Sequence, residues 1–463
     1  MKKGEIYEGF VEKVSFPNKG IIYIDDKKVI VKNAIPGQKI RFIINKKRKD
    51  KAEGRLLEVL QCSEIEKSEP LCSLFPQCGG CTYQTVAYEE QLKIKFNQVK
   101  ELLTPVISEN TDLSESEAME LFDNIEASPY EKHYRNKMEY SFGDCMKGGE
   151  LTLGLHKKNS RFDILTASDC ILVHDDMNKI VSCVLEYCKE KKFSYYHKIS
   201  HEGYLRYLLV RRAEYTGEMI AAIVTSSQLT HDFTELKERL NALDLEGRLI
   251  GFLHMTDDNV ADVLKSENTQ IIYGKDYFYE KLLGLQFKIT PFSFFQTNTK
   301  GAELLYSNVR EMIGNIDDAT VFDLYSGTGT IAQVLSPAAK KVIGVEIVEE
   351  AVEAAKENAR LNKIENCEFI AGDVLKVIDE IMVKPDYLIL DPPREGINPK
   401  ALGKIIAYNA ERIVYISCKP TSLANDLEAF LNGGYRIEKI KCVDMFPNTV
   451  HVETVVLMSR VQK

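Results

Sequence analysis

The sequence predicts a multidomain α/β protein: a small N-terminal OB-like β-barrel, a mixed α/β middle domain, and a C-terminal Rossmann-like domain. Short strand-like runs separated by turn signals fill residues 1–61. Strands and helices mix from 62 to 285, around a cysteine-rich loop. From 286 to 463, near-continuous apolar strands alternate with helical stretches, as in doubly wound parallel sheets. We therefore predict three domains with these bounds.

The composition is that of a globular protein, with 44% hydrophobic and 28% charged residues. No apolar run reaches the roughly 20 residues of a membrane span. The start "MKKGEIYEGF" also lacks the apolar core of a signal peptide. We expect a cytoplasmic protein with no membrane contact and no obligate protein partner. Thiols stay reduced in that compartment, so the 11 cysteines indicate ligation or catalysis rather than disulfides.

The N-terminal region is the basic part of an acidic chain. Residues 1–61 carry 15 Lys and Arg against 8 Asp and Glu, whereas the whole chain has a net charge of −9. Most of the excess lies in "KIRFIINKKRKDKAEGR". Such a run is usually a solvated loop; contact with RNA phosphates is the sharper hypothesis. The short strands favour an OB-type barrel, a common platform for single-stranded nucleic acid, although any small barrel gives this pattern.

A glycine-rich turn in "FDLYSGTGTIAQVL" follows a strand and precedes a helix. Gly327 and Gly329 let the backbone approach a ligand at the helix N-terminus, and Glu346 ends the next strand, where a carboxylate can accept both ribose hydroxyls. The turn alone leaves NAD and S-adenosylmethionine close to even. Asp323 inside the first strand, Asp373 at the end of the third and an antiparallel-looking final strand pair favour S-adenosylmethionine.

Two further strand ends carry reactive side chains. Asp391 in "LDPPREG" emerges at the carboxyl edge, where doubly wound folds bind ligands; a tight turn with a capping aspartate is the alternative. Cys418 in "YISCKP" ends the fifth strand, just before a helix and beside Lys419. Both features favour the thiolate, the reactive form of cysteine. The alternative is an inert buried thiol.

A thiolate at this edge can add to C6 of uracil and make C5 nucleophilic enough to accept a methyl group. A base must then remove the C5 proton so that the thiolate can leave. "FPNTVHVETVV" offers Glu453 as this base and His451 as a support, provided that the last strand is antiparallel. A surface carboxylate at a strand end is the alternative interpretation of Glu453.

A cysteine-rich loop, "PLCSLFPQCGGCTYQ", holds Cys72, Cys78 and Cys81 within ten residues. They can share one site, whose fourth ligand must come from elsewhere. These residues alone do not separate zinc from an iron–sulfur cluster, although the spacing before Cys78 is longer than zinc pairs usually have. The remaining cysteines apart from Cys170 and Cys418 are interpreted as structural or incidental: Cys62, Cys145, Cys183, Cys188, Cys367 and Cys442.

The motifs "FFQTN", "DLYSGTGT", "DPPREG", "YISCKP" and "DMFPNTVHVE" occur in this order over residues 291–453. Together they resemble the RNA 5-methyluridine methyltransferase family, in particular its iron–sulfur-containing ribosomal-RNA type with an N-terminal TRAM domain. The resemblance implies a class I methyltransferase domain with Cys418 as nucleophile and Glu453 as general base. It also implies a cofactor site for S-adenosylmethionine formed by Gln296, Tyr325, Glu346, Asp373 and Asp391.

The resemblance further implies Cys170 as the fourth ligand of a [4Fe-4S] cluster, with zinc as the alternative metal. We expect this cluster to order the middle domain or its RNA-binding face, because methyl transfer needs no electrons. The predicted reaction is methylation of uridine C5 in RNA, with large-subunit (23S) ribosomal RNA as the expected substrate. Three alternatives remain: a tRNA uridine-C5 methyltransferase, an RNA cytosine-C5 methyltransferase, which usually carries Pro-Cys where this chain has Ser417-Cys418, and a non-catalytic RNA-binding assembly factor.

Overall fold

The computed structural model describes residues 1–48, 51–260 and 268–461. Its N-terminal part is a six-stranded sheet in the order β1-β5-β6-β4-β3-β2. The strands are β1 (Ile6–Phe10), β2 (Lys13–Ser15), β3 (Lys19–Ile24), β4 (Lys27–Lys32), β5 (Lys39–Lys47) and β6 (Lys51–Gln61). The chain passes from β1 to β2 at Val11 and Glu12, because Val11 N–H donates to Gln38 O beside β5, whereas Glu12 N–H donates to Ile21 O in β3. This step connects the two edge strands of the sheet.

The next segment leads away from this sheet through two helices and a strand: α1 (Tyr88–Glu109), α2 (Glu115–Glu120) and β7 (Phe122–Glu126). Helix α1 contacts the N-terminal sheet and connects it to the rest of the molecule. Gln98 Oε1 accepts a hydrogen bond from Asn18 N–H at 2.9 Å, and Glu101 pairs with Lys13 at 3.0 Å. Ile94 packs into the core of the N-terminal sheet.

The middle part is a seven-stranded sheet in the order β10-β9-β8-β11-β12-β13-β14, with two helices packed on it. Strands β11 and β12 of this sheet form an antiparallel hairpin. The elements are β8 (Lys137–Asp144), β9 (Leu151–His156), β10 (Ile164–Thr166), α3 (Asp175–Glu190), β11 (Leu205–Arg212), β12 (Glu218–Thr225), α4 (Thr234–Asn241), β13 (Arg248–Thr256) and β14 (Asn268–Gly274).

The C-terminal part begins with a two-stranded hairpin and continues into an eight-stranded sheet of order β19-β18-β17-β20-β21-β23-β22-β7. Its elements are β15 (Phe278–Leu282), β16 (Leu285–Ile289), α5 (Thr299–Ile313), β17 (Ile316–Leu324), α6 (Thr330–Leu335), β18 (Ala339–Glu346), α7 (Glu349–Leu361), β19 (Cys367–Ala371), α8 (Val374–Val377), β20 (Tyr387–Leu390), α9 (Pro399–Ala407), β21 (Arg412–Ser417), α10 (Pro420–Asn432), β22 (Tyr435–Val443) and β23 (Glu453–Arg460).

Strands β19, β18, β17, β20 and β21 of this sheet are parallel, and β23 runs antiparallel between β21 and β22. Neighbouring residues of one strand enter different apolar cores: Val414 and Ile416 pack in one core, Ile413 and Tyr415 in the other. Both faces of the sheet are therefore covered, which explains why its strands are apolar almost throughout. The predicted doubly wound fold and its final antiparallel pair are confirmed.

The predicted middle range 62–285 does not coincide with one sheet. Strand β7 lies inside that range yet pairs in parallel with β22, and the buried side of α1 packs Val99 and Leu103 into the core below α10. Because edge strands join a sheet through backbone hydrogen bonds, their sequence does not identify the sheet that they extend. No helix of the described ranges is long and apolar enough to cross a membrane.

Candidate active site

The glycine-rich loop turns the chain sharply between β17 and α6. Tyr325, Gly327 and Gly329 all have positive φ angles, of 70°, 54° and 72°. Tyr325 N–H donates to Val345 O in the neighbouring strand, which holds the start of the loop on the sheet. A Cβ atom at Gly329 would lie 2.5 Å from the Phe369 ring, so no side chain fits there. The loop therefore brings bare backbone to the carboxyl edge of the sheet, as the sequence predicted.

Carboxylates stand at the ends of the next two strands. Glu346, at the end of β18, accepts hydrogen bonds from Gly327 N–H and Val348 N–H, both at 3.0 Å. Asp373, after β19, caps α8 by accepting a hydrogen bond from Leu375 N–H at 2.9 Å. Both residues line the same cleft as the glycine loop. The chemistry of this edge fits a nucleoside, because a carboxylate that receives two N–H donors still has lone pairs for hydroxyl or amino groups.

Below the loop, Asp323 is fully buried in β17. One of its oxygens accepts a hydrogen bond from Ala332 N–H at 2.9 Å, which ties α6 to the strand. Burial, reinforced by the nearby charge of Asp391, raises the pKa of Asp323 to about 8. Its Oδ1 atom has no hydrogen-bond partner among the described residues. Asp323 is thus a group that holds its proton readily beneath the cleft.

The cleft has a volume of about 2260 Å³ and is shared by the middle and C-terminal parts of the chain. Gly80, from the cysteine-rich loop, lines one wall, and all seven predicted catalytic and cofactor residues line it as well: Gln296, Tyr325, Glu346, Asp373, Asp391, Cys418 and Glu453. Phe294 stands beside Gly327 and is 67% exposed, so a large apolar ring borders the glycine loop.

The "FFQTN" segment is held in the cleft by the middle sheet. Asn136 Nδ2 donates to Gln296 O at 2.9 Å, and Asn136 N–H donates to Thr297 O at 2.7 Å. The buried guanidinium of Arg211 donates to Thr290 O and to Ser293 O, both at 2.7 Å. The middle part therefore shapes the wall that carries Gln296, and neither Asn136 nor Arg211 had a sequence signal that indicated this role.

Cys418 and Glu453 lie side by side. The register of β21 and β23 pairs Ile416 with Val455 and Ser417 with Thr454, so the next pair along is Cys418 with Glu453. Ile416 and Val455 enter the same apolar core, and side chains two residues further on share that face of the sheet. The condition set for Glu453 at the sequence level, an antiparallel last strand, is therefore met.

Both groups are held in their protonated forms by their surroundings. Glu453 is 5% exposed, and burial together with the charge of Asp391 raises its pKa to about 8. Burial, then the charges of Glu453 and Asp391, raises the pKa of the Cys418 thiol to about 11. The prediction that the helix start and Lys419 make this cysteine a thiolate is wrong, because burial and two carboxylates outweigh them. Burial also raises the pKa of Asp391, to about 7.

Arg394 and His451 complete the site. The charge of Arg394 and its hydrogen bond to the thiol partly oppose the rise in the pKa of Cys418. Arg394 Nη2 also donates to His451 Nδ1 at 3.2 Å. Burial, then the charges of Arg394 and Lys95, lowers the pKa of His451 to about 4, so its ring is neutral with the proton on Nε2. Arg394 was overlooked at the sequence level, although it directly follows the two prolines of "DPPREG".

The cysteine-rich loop lies beside the cleft. Cys72, Cys81 and Cys170 are buried and Cys78 is half-buried. Burial, and to a smaller extent the charges of Cys72 and Cys78, raises the pKa of Cys170 to about 11. Four neighbouring thiols suit a thiolate-bound metal. In the described parts of the chain, however, no three His, Cys, Asp or Glu side chains have metal-ligating geometry. The four cysteines lie near enough for their charges to act on one another, and the metal site stays a prediction.

The parallel sheet, its glycine loop and the carboxylates at its strand ends define a class I S-adenosylmethionine-dependent methyltransferase. Residues 87–461 match the family described as tRNA (uracil-5-)-methyltransferase. The chain belongs to this family, and it is an RNA (uracil-5-)-methyltransferase that uses S-adenosylmethionine. It is 49% identical over 460 residues to an uncharacterized RNA methyltransferase of Clostridium tetani, with 99% of both chains covered.

A second relative, an uncharacterized RNA methyltransferase of Caldanaerobacter subterraneus, is 46% identical over 462 residues and covers 99% of this chain and 100% of its own. Among solved structures, the chain resembles the Pyrococcus abyssi tRNA (uracil-54, C5)-methyltransferase in complex with S-adenosyl-L-homocysteine. The TM-score is 0.73 at 24% identity, with 98% of this chain and 100% of that chain covered. The two proteins share a fold over their whole length.

Proposed function

We propose that this enzyme methylates C5 of a uridine in RNA, with Cys418 as the nucleophile and Glu453 as the general base. The observation that carries the proposal is the antiparallel register of β21 and β23, which puts both side chains on one face at the edge of the cleft. Ligands of doubly wound folds bind at the carboxyl edge of the sheet, which is the edge that carries these two residues and to which we assign the methyl donor. A nucleophile and a base next to a methyl donor are the three groups that uracil-C5 methylation needs.

The residues act in sequence on the base. The Cys418 thiolate forms a bond to C6 of uracil, and the ring electrons move to make an enolate with a nucleophilic C5. Bound S-adenosylmethionine supplies the methyl group to C5. The Glu453 carboxylate then takes the C5 proton, the C5–C6 double bond re-forms, and the C6–sulfur bond breaks to release Cys418 as thiolate. Arg394 stabilises that thiolate, since its charge and hydrogen bond lower the pKa of the thiol.

We assign the cofactor to the wall formed by Gln296, Tyr325, Glu346, Asp373 and Asp391. In this assignment Glu346 accepts the ribose hydroxyls and Asp373 the adenine amino group. Asp391, whose charge raises the pKa of both Cys418 and Glu453, is assigned to the sulfonium end next to the reacting groups. The backbone at Gly327, which lines the cleft without a side chain, supports a ligand at this position.

For the substrate we propose ribosomal RNA of the large subunit, with residues 1–61 as a TRAM-type RNA-binding barrel. The basic charge of that region and the cysteine-rich loop support this choice. A tRNA is the second candidate, because an enzyme described as acting on tRNA shares the fold over 98% of this chain. The presence of an N-terminal barrel therefore does not separate the two RNA classes.

A trapping assay tests the reaction. The enzyme is incubated with labelled S-adenosylmethionine and RNA that contains 5-fluorouridine, whose fluorine cannot leave as a proton does. We expect a covalent, labelled enzyme–RNA complex in the wild type and in the control Cys62→Ala, an exposed cysteine, and none in Cys418→Ala. No complex and no methyl transfer from the wild type would favour a non-catalytic RNA-binding factor. Transfer to cytidine instead of uridine would favour a cytosine-C5 methyltransferase.

Glu453→Gln provides a second arm on ordinary RNA. This variant retains the nucleophile and loses the base, so the methylated complex is expected to accumulate while turnover falls by about 10²–10⁴-fold. Rapid and complete turnover by Glu453→Gln would show that another group removes the proton. The substrate is identified separately, by mapping 5-methyluridine in ribosomal RNA and tRNA of a strain that lacks the gene.

We also propose that Cys72, Cys78, Cys81 and Cys170 bind a [4Fe-4S] cluster, or zinc in its place. The chemistry of four clustered thiols supports this assignment. The test is the metal and sulfide content of purified protein, compared with Cys78→Ser and with Cys188→Ser as a control. If Cys78→Ser left both the metal content and the affinity for RNA unchanged, the assignment would be abandoned.

A further inference from the structure

The segment between β22 and β23, residues 444–449, leads directly into His451 and Glu453. We call it the 444–449 loop. Its residue Asn448 is 8% exposed and has a φ of 66°, the left-handed conformation, which asparagine adopts more readily than other residues except glycine. The contacts of this buried turn residue show what sets the shape of the loop.

Every polar atom of Asn448 takes part in a hydrogen bond. Its N–H donates to Gln91 Oε1 at 2.9 Å, and its Oδ1 accepts from Gln91 Nε2 at 3.2 Å. Its Nδ2 donates to Glu131 O at 3.1 Å. Its carbonyl oxygen accepts hydrogen bonds from Thr82 N–H at 2.8 Å and from Tyr83 N–H at 3.1 Å. Five hydrogen bonds from three distant segments therefore converge on one residue of the loop.

The rest of the loop is anchored from the same side. Lys95 Nζ donates to Asp444 Oδ1 at 2.7 Å and to Phe446 O at 3.0 Å. The side chains of Lys95 and Asp444 are 1% and 0% exposed, so this ion pair is buried. Tyr134 OH donates to Pro447 O at 2.9 Å. Helix α1 and the start of the middle part thus form hydrogen bonds with the loop along most of its length.

Two of the anchors belong to the cysteine-rich loop. Thr82 and Tyr83 directly follow Cys81. The position of the cysteine-rich loop is therefore transmitted to the 444–449 loop by backbone hydrogen bonds, with no intervening side chain at that contact.

The burial of Glu453 gives a reason for these contacts with the 444–449 loop. A carboxylate that is 5% exposed gains hydration whenever the chain ahead of it relaxes toward solvent. Proton abstraction requires the carboxylate within hydrogen-bond reach of C5, where a misplacement of about 1 Å can cost about 100-fold in rate. A loop that is clamped just before β23 opposes this relaxation.

We propose that Gln91, Lys95 and Asn448 are positioning residues that hold Glu453 in place opposite Cys418, and that the cysteine-rich loop acts on the same placement through Thr82 and Tyr83. The proposal rests on the proposed role of Glu453 as the base. It assigns to the cysteine-rich loop a role in the last step of the reaction, the release of methylated RNA.

The test measures where the reaction stops. Asn448→Ala removes both hydrogen bonds of the side chain and the ease of the left-handed turn; Asn448→Gly removes the side chain alone and keeps the turn. Gln91→Leu removes the partner. Asn366→Ala is the matched control, because the side chain of Asn366 likewise makes two hydrogen bonds, in its case by donating to two backbone carbonyls, but lies at the opposite edge of the sheet. Each variant is assayed on ordinary RNA for turnover, KM and methylated covalent complex.

For Asn448→Ala and Gln91→Leu we expect turnover to fall by about 10- to 100-fold. Methylated complex should accumulate, and KM for RNA should fall together with turnover, while kcat/KM and the rate of trapping by 5-fluorouridine RNA stay near wild type. Asn448→Gly should lie between wild type and Asn448→Ala. A general loss of structure would lower trapping and turnover together, which this pattern excludes.

Two results would overturn the proposal. If Asn448→Ala and Asn448→Gly both trap 5-fluorouridine RNA normally and release ordinary RNA at the wild-type rate, the loop does not position the base. If instead all three variants lose trapping in proportion to turnover, their role is structural. Glu453→Gln in the same experiment distinguishes the two proposals, because accumulation of its complex upholds the role of Glu453 whatever the loop variants do.

Discussion

At the residue scale, Cys418 and Glu453 must each lose a proton for a different step of the proposed reaction. The two steps can be measured separately. Trapping by 5-fluorouridine RNA needs the thiolate, and burial raises the pKa of Cys418 to about 11. Release of methylated RNA needs the Glu453 carboxylate, whose pKa burial raises to about 8. The trapping rate is therefore expected to rise between about pH 7 and about pH 9.5, while the release rate levels off above about pH 8.

The outcome that contradicts this prediction is a release rate that is independent of pH between about 6 and about 9 in the wild type. In Glu453→Gln the rise in release with pH should disappear while the rise in trapping remains. Single-turnover measurements give the two rates separately: the trapping rate from mixing the enzyme with 5-fluorouridine RNA, and the release rate from the methylated covalent complex.

The raised pKa of Glu453 also predicts that the protein loses stability as the pH rises. The pKa of Glu453 is raised from 4.5 to about 8 on folding, so the folded state binds this proton more tightly and loses stability as the pH rises through that window. Glu453→Gln removes the loss. We expect its Tm to exceed that of the wild type at about pH 8, by roughly 1 °C for each kcal/mol regained in a chain of this length, and to equal it below about pH 4.5.

Thermal unfolding followed by circular dichroism at the two pH values measures this difference. Glu411→Gln, at an exposed position outside the cleft, is the control for the loss of one negative charge. A Glu453→Gln variant that is less stable than the wild type at high pH would mean that the carboxylate has a stabilising partner.

At the element scale, the glycine loop shows how one turn controls the cofactor site. Gly329 combines a φ of 72° with a hypothetical Cβ only 2.5 Å from the Phe369 ring. Gly329→Ala must therefore shift the loop or the ring, and backbone strain of about 1–3 kcal/mol corresponds to about a 5- to 150-fold weaker binding of S-adenosylhomocysteine. Titration calorimetry measures the affinity directly.

Gly403→Ala is the matched control for this loop variant. Gly403 lies in helix α9, and a Cβ there has no neighbour within 4 Å. It should leave the affinity for S-adenosylhomocysteine unchanged and stabilise the helix slightly, since alanine is the better helix former. Equal affinities for Gly329→Ala and the wild type would show that the cofactor does not use this turn.

At the scale of the whole molecule, the N-terminal sheet is expected to contribute affinity for RNA without touching the chemistry. Lys46 and Lys47, in β5, are exposed and lie in the basic run. The double variant Lys46→Gln/Lys47→Gln should weaken RNA binding and reduce the slope of log K against log salt by about 0.7 for each RNA phosphate that is no longer neutralised. Binding of S-adenosylhomocysteine should not change.

Fluorescence anisotropy over a range of salt concentrations measures this slope. Lys340→Gln is the control, because Lys340 is exposed at the start of β18, at the edge of the sheet opposite the cleft. An unchanged slope in the double variant would remove this part of the sheet from the RNA-binding surface.

The sequence by itself determined the doubly wound sheet, the glycine loop and the positions of Asp391 and Cys418. These features are local: strands covered on both faces are apolar throughout, and glycines and prolines mark the turns that follow them. The end of a parallel strand is also the carboxyl edge of the sheet, so side chains at strand ends could be assigned to one cleft.

Tertiary structure alone decided the rest. The register of β23 against β21 put Glu453 beside Cys418, and burial next to two carboxylates reversed the predicted ionisation of that thiol. One of the hydrogen bonds that fix the 444–449 loop joins Gln91 to Asn448, which are 357 positions apart in the chain. Desolvation and long-range hydrogen bonds depend on what surrounds a group after folding, and no local pattern in the sequence records that environment.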